Sequence, residues 1–356
     1  MSTFSSLKPQ FESFFDDFWV SLVDATVEEI HVSPSVRSEI RTHVEELLAY
    51  NLKNGKFLRG ICVVETAKQL FQSRSSVFSE NDLQLASYLG WSVEILQAAF
   101  LVADDVMDNS DIRRGQPAWH KRRGVGLAAV NDAFLLESLA YKALDIFFQD
   151  HPKKHQMCDL IRFVSRVTEW GQFLDTLGTQ VPVEAMEPDL HSAICTYKTS
   201  FYTFFLPVSL GLLYCNVDIS AELSSSISSL TKLVGHLFQV QDDYLDVFGD
   251  EEVVGKPSTD LIERKCAWPL VFALNKSSKS GGEVYGKLVS AVESGDVSEV
   301  KSIIHELDIK SHFKEAESQL LTEIYGIMQQ KSDSVELCCV SEVLKRIVDY
   351  LIGRRK

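Results

Sequence analysis

The sequence predicts an all-α fold, and two observations carry that prediction. Apolar residues recur at helical spacing wherever a clear pattern exists, and strict alternation over a strand length is hard to find. The 356-residue chain also contains only 9 prolines and 18 glycines, which leaves room for long helices. No shift in composition divides the chain, so we expect one domain over residues 1–356.

Two helices have the clearest apolar stripes. The first runs from Val36 to Leu52, with Ser33 as a candidate N-cap and Pro34 at the first helical position. The second runs from Leu337 to Leu351, and Gly353 suits its end. Similar patterns predict helices over residues 82–109, 126–149, 155–180, 189–216, 220–248 and 261–275. We expect loops at residues 54–55, 113–126, 249–258 and 277–282.

Composition narrows the classes of partner. The formal net charge of −15 disfavours nucleic acid and anionic lipid as partners. Seven cysteines, an odd number without a CxxC pair, indicate reduced thiols. The N-terminal residues lack the pattern of a secretory signal, and the longest nearly apolar stretch, Phe204 to Cys215, is too short to span a bilayer. We therefore expect a cytoplasmic protein with no membrane span.

The most informative residues form two acidic clusters with one spacing, DDxxD, each within apolar sequence. They are Asp104, Asp105 and Asp108 in LVADDVMD, and Asp242, Asp243 and Asp246 in VQDDYLD. Positions i and i+4 share a helix face, and like charges one turn apart repel each other. A buried carboxylate pair of this kind would be neutralised by protonation or would bind a cation. A solvated helix face is the alternative, which the repetition of the spacing in apolar sequence disfavours.

Carboxylate-rich oxygen ligands suit Mg²⁺, which completes its coordination with water and phosphate oxygens. Cationic residues that could bind such a phosphate lie near the clusters and elsewhere: Lys56 and Arg59 in GKFLR, Arg113 and Arg114, Lys256 and Lys265, and Arg354, Arg355 and Lys356. Together these residues predict a Mg²⁺-dependent diphosphate site in a helical cavity. The reaction could be hydrolysis or transfer.

The sequence resembles the trans-prenyl diphosphate synthases of the polyprenyl synthetase family, and most closely the eukaryotic farnesyl diphosphate synthases. The most specific segments are ILQAAFLVADDVMDNSDIRRGQPAW, YKTSFYTFFLPV and GHLFQVQDDYLDVFGDEEVVGKPSTDLIERKCAW. The resemblance implies a single isoprenoid-synthase-type domain with about ten core helices around a central cavity. It also implies a homodimer.

The resemblance further implies residue roles. Three Mg²⁺ ions would hold the allylic diphosphate through the direct ligands Asp104, Asp108 and Asp242. The remaining acidic residues, Asp105, Asp243 and Asp246, would orient ligands or metal-bound water. The allylic diphosphate would contact Arg113, Lys198, Lys256 and Lys265. Isopentenyl diphosphate would be bound by Lys56, Arg59, Gln97 and Arg114.

Three further features are implied by the same resemblance. The Lys198 carbonyl, Thr199 and Gln239 would face the carbocation through oxygen dipoles. Gln172 and Asp175 would lie at the edge of the metal site, and the basic residues Arg354, Arg355 and Lys356 would help to close the pocket. The implied reaction is ionisation of dimethylallyl or geranyl diphosphate, head-to-tail (1'-4) condensation with isopentenyl diphosphate, and loss of a proton.

Two departures from the family pattern bear on these expectations. Asn54 replaces the first of two glycines, and Asn tolerates a left-handed backbone better than most residues. Ala99 and Phe100 stand where farnesyl diphosphate synthases commonly have two aromatic residues. Since Ala99 opens space five residues before Asp104, geranylgeranyl diphosphate synthase is an alternative to farnesyl diphosphate synthase. A terpene synthase of the same fold is a third hypothesis.

Overall fold

The structure, a computed structural model, describes residues 3–249, 259–279, 282–330 and 332–353, and the prediction of an all-α fold is confirmed. The α-helices in this part of the chain are α1 (Thr3–Ser13), α2 (Phe15–Glu28), α3 (Pro34–Leu52), α4 (Leu58–Ser73), α5 (Glu80–Met107), α6 (Ala129–Phe147), α7 (Lys154–Gln180), α8 (Pro188–Ile194), α9 (Leu206–Tyr214), α10 (Ala221–Phe248), α11 (Trp268–Lys279), α12 (Glu283–Ser294), α13 (Val297–Glu306), α14 (Ile309–Met328) and α15 (Val335–Gly353).

Shorter elements connect these helices. A π-helical segment covers Cys195–Phe205, between α8 and α9. The strands β1 (Ile112–Arg113) and β2 (Gln116–Pro117) pair as an antiparallel hairpin. Short 3₁₀ turns lie at Trp119–Lys121, Gly126–Ala128 and Val183–Ala185.

The chain folds into two compact units, each built from segments that are distant in sequence. The first comprises Met1–Phe163, Phe204–Ile227 and Ser332–Lys356, and the second comprises Val164–Thr203 and Ser228–Lys331. In the first unit, α5 packs against α4, α6 and α9. In the second, buried residues of α11, α12 and α13 form much of an apolar core. One domain over residues 1–356 stays a prediction.

The helices that the apolar patterns predict are present with some differences in their bounds, whereas α1, α2, α4, α12, α13 and α14 are not among those patterns. Ser33 and Pro34 begin α3 as expected, although Ser33 makes no side-chain cap bond. The predicted helix over 189–216 is divided into α8, the π-helical segment and α9. The predicted loop over 113–126 contains the hairpin and a 3₁₀ turn. Helix α11 begins at Trp268 rather than at 261, since residues 261–264 form turns.

Helix α5 is long and apolar enough to cross a membrane by length and composition, a property that the sequence patterns above do not single out. In the structure, 78% of its most apolar 18-residue window is buried within the protein. A central core helix has this composition because neighbouring helices cover it on several sides.

The π-helical segment packs against two glycines of the second unit. A Cβ atom at Gly171 of α7 would overlap the backbone of Tyr197 and Lys198, and one at Gly235 of α10 would overlap Ser200. The Ser200 hydroxyl donates to the Cys195 carbonyl five residues earlier (2.8 Å), which matches the wider turn of a π-helix. The side chains of the π-helical segment therefore depend on close backbone approach at both glycines.

We predict that Gly171→Ala lowers the melting temperature, because its methyl group meets fixed backbone and must displace it, at a cost of about 1–3 kcal/mol. Gly326→Ala in α14 is the matched control, since no atom lies within 4 Å of the added Cβ. There the better helix propensity of Ala stabilises by about 1 kcal/mol or less. Thermal unfolding followed by circular dichroism measures both. Equal melting temperatures for the two variants would contradict the close approach.

Candidate active site

Helix α5 carries the first acidic cluster at its C-terminal end. The helix begins with a capping box, in which Ser79 Oγ accepts from the Asp82 N–H (3.1 Å) and Asp82 Oδ2 accepts from the Ser79 N–H (2.9 Å). Asp104 and Asp105 lie in its last turn, and Asp108 is the C-cap residue. The capped start and the buried middle of α5 thus fix the position of three carboxylates at its end.

The three carboxylates differ in exposure. The Asp105 side chain is 3% exposed, whereas that of Asp104 is 17% exposed and Asp108 is partly buried. Carboxylate oxygens of Asp104 and Asp108 lie within 4.8 Å of each other. Burial raises the pKa of Asp105, and hydrogen bonds from Arg113 oppose that rise. Asp104 and Asp108 are therefore the members of the cluster that can reach a cation.

The β1–β2 hairpin directs two adjacent arginines to different partners. Its two central residues, Arg114 and Gly115, have φ values of +53° and +74°, as in a tight type I′ turn. The Arg113 guanidinium donates to Asp105 Oδ1 from Nη2 (2.5 Å) and Nε (3.0 Å), and to Asp104 Oδ2 from Nη2 (3.3 Å). Arg114 Nη1 instead donates to the Asn51 carbonyl (2.8 Å).

Residues expected to bind isopentenyl diphosphate meet around a buried carboxylate, that of Glu94 on α5. Glu94 Oε1 accepts from the Gly60 N–H at the start of α4 (2.8 Å). With its amide oriented to satisfy both neighbours, Gln97 donates to Glu94 Oε2 (2.9 Å) and accepts from Arg59 Nη1 (2.8 Å). Burial raises the pKa of Glu94, and the charges of Arg59 and Arg114 oppose this.

The residues before α4 have the backbone that the sequence leads us to expect. Asn54 has a φ of +65°, so it adopts the left-handed conformation that Asn tolerates. Lys56 is exposed, and Arg59 follows within the first turn of α4 as a buried residue. One cation of this segment is therefore accessible to solvent, while the other is fixed by Gln97.

In the second unit, Asp243 of α10 is buried and accepts three hydrogen bonds. Gln239 Nε2 donates to Oδ1 (2.7 Å), and His191 Nε2 lies 2.9 Å from Oδ2. The N–H of Trp268, the first residue of α11, also donates to Oδ2 (2.8 Å). An otherwise unsatisfied group at a helix N-terminus is thereby paired.

The other two carboxylates of this cluster have different surroundings. Asp246 is buried and accepts from the backbone N–H groups of Thr259 (3.5 Å) and Asp260 (3.1 Å). Asp242 is exposed. Thus the second cluster has two buried carboxylates and one accessible carboxylate, whereas the first cluster has one buried carboxylate.

Side chains of the π-helical segment connect to this cluster and to α7. Thr199 Oγ1 donates to Gln239 Oε1 (2.6 Å), and Gln239 in turn donates to Asp243. Lys198 Nζ donates to Asp175 Oδ2 (2.6 Å), and Lys265 Nζ lies 3.5 Å from the same oxygen. The structure therefore brings together, within the second unit, three residues that the sequence analysis names: Lys198, Thr199 and Gln239.

The remaining candidates from the sequence are Gln172, Lys256 and the basic residues at the C-terminus. Gln172 is partly buried, and its Nε2 has no hydrogen-bond partner among the described residues. Lys256 and the basic residues Arg354, Arg355 and Lys356 lie outside the described residues.

Sequence reasoning missed Glu94 and the buried His191, whose Nε2 contacts Asp243. Glu94 lies three residues before Gln97 on the same helix, a spacing that could have drawn attention to it. His191 lies fifty-two residues before Asp243, so no pattern in the sequence joins the two.

Comparisons with known proteins match most of the chain to a single family. The family model for polyprenyl synthetase matches residues 41–307. Farnesyl pyrophosphate synthase of Rattus norvegicus is 35% identical over 312 residues, covering 86% of this chain and 88% of that protein. Farnesyl pyrophosphate synthase 2 of Arabidopsis thaliana is 34% identical over 321 residues, covering 89% and 92%.

A solved structure is similar over nearly its whole length. It is T. brucei farnesyl diphosphate synthase complexed with risedronate, with a TM-score of 0.83 and 26% identity, covering 98% of this chain and 99% of that one. The isoprenoid-synthase-type fold expected from the sequence is thereby confirmed. The chain belongs to the polyprenyl synthetase family and is a prenyltransferase.

Proposed function

We propose that the chain is a farnesyl diphosphate synthase, which condenses isopentenyl diphosphate head to tail (1'-4) with dimethylallyl and then geranyl diphosphate. The observation that carries this function is the match to farnesyl pyrophosphate synthases of mammals and a plant over most of the chain. Both acidic clusters are complete, and each has a carboxylate accessible to a cation.

The accessible carboxylates suit Mg²⁺. Asp104, Asp108 and Asp242 offer oxygen donors only, and the oxygens of the first two are already close together. Mg²⁺ held by Asp104 and Asp108 of the first unit, and Mg²⁺ held by Asp242 of the second, would act as Lewis acids for the charge that develops on a departing diphosphate. The number of three ions stays a prediction, as do the orienting roles of Asp105, Asp243 and Asp246.

The cationic residues supply positive charge for the allylic diphosphate. Arg113 contacts Asp105 of the first cluster, and Lys198 and Lys265 contact Asp175, so each cation is held in place by a carboxylate of its own unit. Lys256 is proposed for the same role from the family resemblance. Fixed cations stabilise an anionic leaving group more than mobile ones, because no reorganisation is needed during the reaction.

The π-helical segment is proposed to stabilise the carbocation. The Thr199 hydroxyl is oriented by Gln239, whose own amide is fixed by Asp243. Oxygen dipoles of Thr199, Gln239 and the Lys198 carbonyl can then face positive charge without binding it covalently.

Isopentenyl diphosphate is proposed to bind to Lys56, Arg59, Gln97 and Arg114.

Product length depends on the space beside Ala99. Ala99 is 4% exposed, so neighbouring groups already cover this small residue, and this favours a product that stops at C15. A geranylgeranyl product would require those groups to leave room for a longer chain. A terpene synthase is disfavoured because Arg59 and Gln97, which terpene formation does not need, are held together around Glu94.

We also propose a cytoplasmic homodimer. All seven cysteines are free, which suits a reducing compartment. Within the first unit, large apolar side chains are exposed at the start of α6 and just before it, with Leu127 80% and Phe134 65% exposed. Exposed apolar side chains close together often mark an interface.

The direct test of the proposed function is a product assay. Purified protein receives Mg²⁺, isopentenyl diphosphate and, separately, dimethylallyl, geranyl or farnesyl diphosphate. We expect a C15 diphosphate from the first two and no elongation of the third. Growth to C20 would support the geranylgeranyl alternative. Release of a terpene without incorporation of isopentenyl diphosphate would support the terpene synthase.

We predict that Asp104→Ala reduces kcat by about 100-fold or more, equivalent to about 2.7 kcal/mol in the barrier, while the helical circular dichroism spectrum is retained. Asp104 is partly exposed and does not fill the core, so its loss affects cation binding rather than packing. The matched control is Asp111→Ala, an exposed carboxylate paired with Lys121, which should keep normal turnover. Unfolding of Asp104→Ala would contradict a purely functional role.

We predict that Glu94→Gln raises KM for isopentenyl diphosphate about tenfold, or about 1.4 kcal/mol, without changing KM for geranyl diphosphate. Glu94 positions Arg59 and Gln97 through a charge that Gln lacks. Glu65→Gln is the control, since it removes another buried carboxylate of the same unit, paired with Arg346, and should lower stability alone. Equal increases in both KM values would contradict the assignment.

A further inference from the structure

A strained residue lies between the two cations of the segment before α4. Phe57, between Lys56 and Arg59, has a φ of +53° and a ψ of +31°, a left-handed conformation that is rare for a bulky residue. It is the N-cap residue of α4 and is only 5% exposed. Such a conformation persists only where neighbouring groups hold it, and strain of this kind clusters at ligand sites.

The backbone at Phe57 sets the direction of the turn before α4. Two left-handed residues, Asn54 and Phe57, enclose Gly55 and Lys56. A Cβ atom at Gly55 would lie 2.7 Å from the Phe57 ring, so the ring folds back over the turn. Lys56 is exposed, whereas Arg59 is buried in the first turn of the helix. The placement of both cations therefore depends on the conformation of Phe57.

Aromatic rings of α1 and α5 hold the Phe57 ring. The centroid of the Phe11 ring, on α1, lies 5.9 Å from that of Phe57, and Trp91 of α5 packs edge to face on Phe57 at 5.0 Å. Phe11 and Trp91 stack on each other at 4.4 Å, and the Trp91 indole N–H donates to the Phe11 carbonyl (3.2 Å). The three rings thus form one cluster, which fixes Phe57.

Lys8 of α1 holds the backbone of the same turn. Its Nζ donates to the Gly55 carbonyl (3.0 Å) and lies 5.2 Å from the centroid of the Phe57 ring. A hydrogen bond from a charged donor is stronger than a neutral one, and a cation over an aromatic ring adds further attraction. Lys8 and Phe11 are three residues apart, so they share one face of α1.

Helix α1 also packs on the first turn of α4. A Cβ atom at Gly60 would lie 2.5 Å from the Phe11 ring, so the two helices approach closely here. The Gly60 N–H donates to Glu94, and the Gln97 amide that binds Glu94 accepts from Arg59. One face of α1 therefore contacts the turn before α4 as well as the start of the helix.

We propose that helix α1 forms part of the subsite for isopentenyl diphosphate. Lys8 and Phe11 are positioning residues that hold Phe57 in its left-handed conformation. The cations on either side of it, Lys56 and Arg59, are thereby fixed before the substrate binds, and less conformational freedom is lost on binding. This inference rests on the proposed function, which assigns isopentenyl diphosphate to these two cations. By linkage, the bound substrate also stabilises the docked position of α1.

Steady-state kinetics of the full chain with Mg²⁺, isopentenyl diphosphate and geranyl diphosphate test this role. Lys8→Met keeps the apolar stem of a side chain that is 39% exposed, so the melting temperature should be retained. We expect KM for isopentenyl diphosphate to rise about five- to tenfold, because the Gly55 carbonyl loses a charged donor, whereas KM for geranyl diphosphate should not change. Lys142→Met is the matched control, since it removes a lysine that is paired with Glu29 instead, and both KM values should stay normal.

Hydrogen exchange measures the reverse effect, that of the substrate on the helix. Isopentenyl diphosphate with Mg²⁺ should slow amide exchange in α1 of the unaltered protein, and Lys8→Met should reduce this protection. If Lys8→Met does not fold, exchange in the unaltered protein decides.

Three results would overturn the proposal. They are an unchanged KM for isopentenyl diphosphate in Lys8→Met, an equal rise in both KM values, and amide exchange in α1 that isopentenyl diphosphate does not alter. None of them contradicts the proposed function as long as the unaltered protein elongates geranyl diphosphate. Absence of that elongation would overturn both the proposed function and the role of α1.

Discussion

The candidate site in the second unit depends on the hydrogen bonds that the buried carboxylate of Asp243 accepts. A carboxylate removed from water must be paired, and this one receives groups from three elements: His191 of α8, Gln239 of α10 and the first N–H of α11. Removal of this carboxylate would leave all three donors without their partner. The conformation of Gln239, and through it that of Thr199, follows from this one buried charge.

The first cluster follows the same principle with a different partner. There the buried carboxylate is Asp105, and it is paired with the guanidinium of Arg113 in the hairpin rather than with an imidazole, an amide and a backbone N–H. Successive residues of a helix point about 100° apart, so two adjacent aspartates cannot face the same side. In each DDxxD motif, one aspartate of the adjacent pair is therefore buried in the protein, where it fixes its neighbours, and the other is accessible to a cation. This geometry explains why both motifs contain a pair.

Much of this arrangement could be predicted from the sequence. Helices α3, α5, α6, α7, α10 and α15 follow from apolar spacing, and the DDxxD spacing alone points to carboxylates on one helix face. The break of the long predicted helix at 189–216 could not be predicted, because the π-helical segment depends on glycines in α7 and α10. Glu94 and His191 were missed for a related reason. Their roles come from contacts made in the folded chain, which leave no periodic signal.

A comparison of Asp242→Asn with Asp243→Asn tests this division of roles most directly. These neighbours differ in burial but lose the same charge, and the measurements are Mg²⁺ affinity in the presence of a non-reactive diphosphate and melting temperature. Asp242→Asn should weaken Mg²⁺ binding at an unchanged melting temperature, whereas Asp243→Asn should lower the melting temperature. A stable Asp243→Asn protein together with an unstable Asp242→Asn protein of normal Mg²⁺ affinity would contradict the account.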